Sequence, residues 1–199
     1  CYHRYNTESV ASDEFVDEML ARGCFYAWNF TYIPIGKNAQ TDLIATPEQR
    51  AYMYKRVNEI RTHKPILALD FWNDGELGGG CIAGGRSYFH INAAGDVEPC
   101  AFVHYSNVNI KDVSLLEALQ SPIFKAYQKR QPFNQNQLQP CPLLDNPERI
   151  REIIAESNAR STDIISPETI EELCAKTTPA AEKWAPVAKQ LWENRKKIM

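Results

Sequence analysis

The chain has 199 residues, 44% of them hydrophobic and 24% charged, and a formal net charge of −3. These values are ordinary for a soluble globular protein of one large or two small domains. The lack of a basic excess argues against nucleic acid and anionic membranes as partners, and no apolar run approaches the length of a membrane span.

Residues 1–75 alternate strand and helix signals, which predicts a parallel β/α arrangement. After a short strand at the start, Ser12 caps a first helix. The segment from Cys24 to Ile35 is rich in aromatic and β-branched residues and predicts a buried strand with the aromatic rings in the core. Thr46 begins a capping box for the next helix, and residues 66–72 (ILALDFW) predict a further strand. Three strands do not close a barrel, so we expect part of one.

The middle of the chain predicts a β-hairpin. NDGELGGG, residues 73–80, is predicted to be a loop. Two strand-like stretches, 87–92 and 97–103, flank a turn at Gly95. Two short capped helices then begin at Ser114 and near Ser121–Pro122.

The end of the chain predicts helices. The pairs Asn146–Pro147, Ser166–Pro167 and Thr178–Pro179 each combine an N-cap residue with proline, the signal for a helix start. A stripe that includes Trp184 predicts a buried face for the last helix.

The glycine-rich stretch GGGCIAGGR, Gly78 to Arg86, formally contains the pattern G-x-G-x-x-A of dinucleotide-binding loops. That loop joins a strand directly to a helix. Here a polar loop precedes the glycines and a strand is predicted after them, so we expect no dinucleotide site.

Cysteine spacing is more informative. Thirteen residues separate Cys81 from Gly95 and four more separate Gly95 from Cys100, so both thiols flank one hairpin. Cys141 lies between two prolines after a long loop. Three thiolates suit a soft metal centre, either iron–sulfur or zinc. The alternative is three unrelated buried cysteines, because no C-x-x-C pair anchors the interpretation.

The stretch CIAGGRSYFHINAAGDVEPC, residues 81–100, and the later NI-x4-L-x-EALQSPIF resemble the SPASM (twitch-type) extension of radical S-adenosylmethionine enzymes. That extension binds auxiliary [4Fe–4S] clusters. Three earlier segments, CYHRYN, FTYIPIGKN with ATPEQ, and LALDFWND, resemble the last three strands of the six-stranded radical barrel. The resemblance covers about residues 1–150.

The chain departs from this family in two ways. It contains no C-x3-C-x2-C motif, so the resemblance implies that this chain alone does not cleave S-adenosylmethionine. In the family the cysteine matching Cys141 begins a C-x2-C pair, but here the position of the second cysteine is Leu144. The resemblance therefore implies one auxiliary [4Fe–4S] cluster, held by Cys81, Cys100 and Cys141.

The fourth position on this cluster has three candidates: Asp145, Cys174, or an open iron site that takes substrate, as in related twitch-type enzymes. His90 and His104 flank the hairpin, but lone histidines lack ligand spacing and are expected to be structural.

Other residues have weaker assignments. The resemblance places Tyr32 and Pro34 on the S-adenosylmethionine side of the barrel. Asp70 and Asp74 follow a barrel strand, where β/α enzymes place functional groups, although loop capping explains them equally well. The remaining cysteines before residue 75, at positions 1 and 24, are expected to be buried hydrophobes.

We therefore expect an α/β fold (α+β overall) in three parts: a partial barrel fragment at 1–75, a SPASM-like iron–sulfur domain at 76–150 and a helical extension at 151–199. The expected function is that of the C-terminal portion of a radical S-adenosylmethionine oxidoreductase acting on a small molecule or peptide. Its auxiliary cluster would transfer electrons or anchor substrate. The alternatives are a zinc-stabilised or a metal-free α/β binding module.

Two further expectations concern the surroundings of the protein. No secretion signal is visible, so we expect a cytoplasmic location, where disulfides are rare. The open edge of a barrel fragment invites association, so self-association through that edge is expected.

Overall fold

The computed structural model describes residues 1–165 and 167–195. The helices among these residues are α1 (Thr7–Val10), α2 (Asp13–Ala21), α3 (Pro47–His63), α4 (Gly75–Gly78), α5 (Leu115–Ala118), α6 (Pro122–Lys129), α7 (Pro147–Ser157) and α8 (Ile170–Asn194). The strands are β1 (Tyr26–Asn29), β2 (Leu67–Asp70), β3 (His90–Ile91), β4 (Val97–Glu98), β5 (Tyr105–Ser106) and β6 (Arg160–Ser161).

The first region contains the predicted parallel β/α arrangement. β1 and β2 pair in parallel and α3 forms the crossover between them. Thr46 caps α3 through a complete capping box with Gln49. The predicted first strand is reduced to a single bridge between Tyr2 and Thr31. The α/β class is confirmed, and within the described ranges the strands form no closed barrel.

The predicted strand from Cys24 to Ile35 is shorter and less buried than expected. One face of the β1–β2 sheet packs against α3, where Ala68 is 2% exposed. The opposite face has no covering layer among the described residues, so Tyr26 and Trp28 remain 42% and 45% exposed. The prediction that these rings lie in the core was therefore wrong.

The two early cysteines are less buried than predicted. Cys1 is exposed, so the prediction of burial was wrong for it. Cys24 is half-buried and packs against the core beneath α3, so the prediction holds in part for Cys24.

The second region contains the predicted hairpin, which is confirmed but short: β3 and β4 pair over two residues each. The predicted loop before it contains a single helical turn, α4, which ends where Gly79 adopts a left-handed conformation with φ of 65°. β5 pairs antiparallel with β6, which brings the chain after α7 back to the hairpin region.

The last helix, α8, is continuous through Pro179, so the prediction of a helix start at Thr178–Pro179 was wrong. Its buried stripe, centred on Trp184, packs against α3, and this packing outweighs the cost of an internal proline. Ser166 lies outside the described residues, and α8 begins at Ile170 after a capping box formed by Thr169.

A membrane-crossing helix would need about 20 predominantly apolar residues. Within 1–165 and 167–195, no helix combines that length with that composition.

Candidate metal centre

Cys81 lies in the glycine-rich loop after α4, and two side chains fix its backbone. Arg86 donates from Nε to the Cys81 carbonyl at 3.1 Å and from Nη2 to the Gly78 carbonyl at 2.5 Å. Gln131 donates from Nε2 to the carbonyls of Cys81 and Ala83 at 2.9 and 3.0 Å. A loop without regular structure is thus held in one conformation by side-chain donors.

Tyr127, from α6, packs directly on this loop. Its hydroxyl oxygen lies 3.3 Å from the Cys81 sulfur. Its ring occupies the space where a Cβ on Gly84 would lie, and Gly84 has a φ of 71°. Glycine is therefore required at position 84 for two reasons, the backbone conformation and the close approach of the ring.

Cys100 follows β4 at the exit of the hairpin. The amide of Val103 donates to the Cys100 carbonyl at 2.9 Å and forms a tight turn that presents the thiol. The amide of Ala101 donates to the Tyr88 hydroxyl at 2.9 Å. The hairpin thus places Cys100 on the same side of the molecule as Cys81.

Cys141 is fixed by the turn that leads into α7. Its carbonyl accepts from the amides of Asp145 and Asn146, and its own amide donates to Asp145 Oδ2 at 3.1 Å. The amide of Leu144 points at the Cys141 sulfur at 3.4 Å. Amide donors directed at a sulfur are a feature of metal-bound thiolates.

The three cysteines line one cavity of about 860 Å³, which we call the thiol cavity. Another part of its wall is aromatic and comes mostly from the first region: Trp28, Phe30, Phe71, Trp72 and, from the hairpin region, Phe102. Cys81 and Cys100 are 19 positions apart along the chain, and Cys100 and Cys141 are 41 positions apart, yet all three share one cavity. The cavity lies between the carboxyl end of β2 and the hairpin.

Asp70 and Asp74, the two predicted strand-end acids, also belong to the wall of the thiol cavity. Asp70 is fully buried and accepts from the amide of Trp72 and from Asn73 Nδ2. Burial raises the pKa of the Asp70 carboxyl to about 6. Asp74 pairs with Arg61 at 2.7 Å. Both acids thus have structural partners as well as a place at the site.

Without a nearby cation, the three thiols of the cavity do not ionise readily, because their pKa values are raised. Burial raises the pKa of Cys81 and of Cys100, and it raises the pKa of Cys141 to about 12, with the Asp145 carboxylate adding to the effect. The proximity of the other two thiols raises the pKa of Cys100 further. Metal ligation requires thiolates, so a bound cation must supply the compensating charge. The donor set fits a soft, positively charged metal centre.

The candidates for a fourth ligand are occupied elsewhere. Asp145 pairs with Arg50 at 2.7 Å, and both side chains are buried. Cys174 is buried outside the wall of the thiol cavity, with its thiol 3.3 Å from the Pro147 carbonyl. His104 bonds the Ala101 carbonyl and His90 lies 4.0 Å from Glu98, and neither belongs to the wall of the thiol cavity.

Tyr32 and Pro34 lie beyond the end of β1 and do not belong to the wall of the thiol cavity.

The sequence patterns did not predict two residues that act on the site, Tyr127 and Arg50. Both are parts of ordinary helical patterns, so only the tertiary structure connects them with the cysteines. The position of Tyr127 is reflected in the sequence by Gly84, because its ring leaves no room for a Cβ there.

Among the described residues, no three side chains of His, Cys, Asp or Glu are grouped closely enough to hold a single metal ion. The donor type by itself suits both an iron–sulfur cluster and zinc.

A family model matches part of the chain. Residues 81–143 match the model of the SPASM domain, described as an iron–sulfur cluster-binding domain. The matched segment begins at Cys81 and contains Cys100 and Cys141. No curated protein matches the chain. No solved structure matches it either.

Proposed function

We propose that this chain is the C-terminal portion of a radical S-adenosylmethionine oxidoreductase and that it holds one auxiliary [4Fe–4S] cluster on Cys81, Cys100 and Cys141. The observation that carries the proposal is the convergence of three thiols, distant in sequence, on one cavity within the segment that matches the SPASM model. When bound, the cluster supplies redox chemistry and a Lewis-acidic iron.

Substrate anchoring is the better of the two roles. Three thiolates leave one iron of a [4Fe–4S] cluster without a cysteine, and the side chains considered for that position have other partners. The thiol cavity lies within the size range of small-molecule sites, about 300–1,000 Å³. An iron without a cysteine ligand would be suited to bind a substrate donor atom.

The aromatic wall supports an organic substrate. Trp28 stacks on Phe71 with ring centroids 4.8 Å apart, and Phe30 stacks on Phe71 at 5.4 Å. These rings form an apolar surface in the same cavity as the thiols, and a bound ligand would exclude water from it. A small organic molecule or a peptide side chain fits this surface better than an ion does.

The test is anaerobic reconstitution with iron and sulfide. We expect about four irons and four sulfides per chain, with visible absorption that a zinc protein lacks because zinc is a d¹⁰ ion. Cys81→Ser, Cys100→Ser and Cys141→Ser should each reduce the iron content strongly. Cys24→Ser, at a half-buried cysteine outside the thiol cavity, is the matched control and should load like the parent.

Two results would contradict the proposal. Zinc at one ion per chain that survives anaerobic isolation would favour the zinc-stabilised binding module. Equal iron content in the parent, Cys24→Ser and the three site variants would indicate adventitious metal and favour a metal-free module.

The radical S-adenosylmethionine assignment has its own test. The complete polypeptide should carry a C-x3-C-x2-C motif before Cys1 and should cleave S-adenosylmethionine, whereas the 199 residues alone should not. Cleavage by these residues alone would overturn the assignment but not the auxiliary cluster.

A further inference from the structure

The charges around the thiol cavity are of one sign. Among the described residues that line its wall, none is Lys, Arg or His, whereas two are carboxylic acids, Asp70 and Asp74. A ligand in the cavity therefore contacts no cationic side chain that could pair with a carboxylate or a phosphate. Moving an anion out of water without such a partner is unfavourable. The wall thus disfavours an anionic ligand.

The cations close to the cavity are directed elsewhere. Arg61 pairs with Asp74 at 2.7 Å, and this pair neutralises one of the two wall acids. Arg86, which has no carboxylate partner in the described ranges, directs its donors to the loop carbonyls of Gly78 and Cys81 and does not line the cavity. Neither guanidinium is placed to bind an anion in the cavity.

Asp70 keeps its negative charge beside the cavity. The donors to its carboxylate are neutral: the backbone amide of Trp72 and the side-chain amide of Asn73. Asp70 is fully buried, so it does not contact a ligand but acts through its field, which buried surroundings screen less than water does. A cluster adds to this field, because three thiolates on an oxidised [4Fe–4S] core leave a net negative charge.

Trp28 gives the wall an aromatic ring that a ligand can reach, since the residue is 45% exposed. Phe71 stacks on this ring at a centroid distance of 4.8 Å, and Phe30 lies 5.2 Å from it. The centroids of Phe30 and Phe71 are only 5.4 Å apart, so these two rings do not enclose the indole from opposite faces. The face of a tryptophan ring attracts cations more strongly than that of tyrosine or phenylalanine.

We propose that the thiol cavity selects an organic cation, a substituted ammonium group on an apolar body, and rejects anions of the same shape. The apolar body packs on the aromatic wall. The positive charge lies against Trp28 in the negative field of Asp70 and the cluster. This inference names the substrate class of the same cavity and therefore rests on the proposed function.

The test is equilibrium dialysis of the reconstituted chain against three probes that share a benzyl group: benzyltrimethylammonium, benzyl methyl sulfone and benzyl sulfonate. The quaternary ammonium has no lone pair, so it cannot ligate iron and its binding reports the wall alone. Mildly alkaline pH keeps Asp70 ionised. We expect the cation to bind most tightly, the neutral sulfone less tightly, and the sulfonate about tenfold or more weakly than the cation.

Two variants at exposed aromatic residues give the matched comparison. Trp28→Leu keeps an apolar side chain but removes the aromatic face. It should weaken binding of the cation about fivefold and binding of the sulfone about twofold or less. Phe15→Leu makes a similar change at a residue of α2 that is 44% exposed and lies outside the cavity wall, and it should bind all three probes like the parent.

Three results would overturn the proposal: no saturable binding of the cation, sulfonate binding as tight as that of the cation, or equal effects of Trp28→Leu and Phe15→Leu. Iron content separates this failure from failure of the proposed function. If the chain loads iron and one of these results is obtained, only the substrate class is wrong. If the chain does not assemble a cluster, the proposed function fails and this inference fails with it.

Discussion

Residues 1–75 and residues 76–150 are ordered by different means. The first region is ordered by backbone pairing: β1 and β2 form a regular parallel ladder across α3. The second has strands of two residues each and is held by side chains such as Arg86 and Gln131 that bond backbone carbonyls around the thiols. A region whose strands are this short, and whose thiol-bearing loops are held by side chains, gains more from a metal centre that ties those loops together.

The largest effect we predict concerns how far the order of residues 76–150 depends on the metal centre. Removal of iron from the reconstituted chain by a chelator should increase hydrogen exchange at the amides of β4 and of Val103 by about a hundredfold or more. The amides in the middle of α3, which are protected by helix and core, should exchange at nearly the same rate. Mass spectrometry of peptides after timed exchange measures both.

Equal loss of protection in the two regions would show that the metal stabilises the whole chain as one unit. No change in either region would mean that the side-chain network is sufficient without metal. Cys24→Ser, which leaves the three thiols in place, serves as the control and should behave like the parent.

The next prediction concerns the contact that joins the two regions. Arg50 lies on α3 and Asp145 follows Cys141, and their ion pair is buried. Arg50→Gln leaves a buried carboxylate unpaired, so the free energy of unfolding should fall by about 3–5 kcal/mol. Urea unfolding measures the change, and iron content should fall as well because Asp145 positions the Cys141 backbone.

Arg56→Gln is the matched control on the same helix. Arg56 pairs with Asp13 and Glu59, whose side chains are 65% and 56% exposed. Its loss should cost about 1 kcal/mol or less. Similar losses for Arg50→Gln and Arg56→Gln would contradict the structural importance of the buried pair.

The two regions also differ in how far the sequence predicts them. The capping box at Thr46, the parallel order of β1 and β2, and the hairpin around Gly95 follow from local patterns, and the structure contains all three. The exposure of Trp28 does not follow from such patterns, because an aromatic strand has the same sequence whether or not a second layer covers it.

The site is predictable only in part for a similar reason. The spacing from Cys81 to Cys100 indicates a shared centre because both thiols flank one hairpin. The contributions of Tyr127 and Arg50 depend on how α6 and α3 pack, and helical periodicity shows which face is buried but not what it meets. The engagement of Asp145 by Arg50, 95 positions away, has no local signal either.

A smaller predicted effect is the difference in unfolding free energy between alanine substitutions at two glycines with similar backbone conformations. Gly84 and Gly23 have φ values of 71° and 84°. Alanine at position 23 meets no atom within 4 Å, so its cost is backbone strain, roughly 1–2 kcal/mol. Alanine at position 84 also overlaps the buried ring of Tyr127, which adds about 1–3 kcal/mol. Urea unfolding of both variants measures the difference, and equal costs would mean that the ring moves aside without penalty.

The smallest predicted effect is on the reduction potential. If the Tyr127 hydroxyl donates to the sulfur of Cys81, 3.3 Å away, it stabilises the more negative, reduced state of a cluster bound there. Tyr127→Phe removes about 1 kcal/mol of that stabilisation, so the potential should fall by about 40 mV for a one-electron couple. Tyr105→Phe is the control, because that buried hydroxyl bonds the Glu168 carbonyl away from the thiol cavity. Spectroelectrochemistry of the reconstituted variants measures both, and a potential that is unchanged in Tyr127→Phe would mean that the hydroxyl does not donate to the bound sulfur.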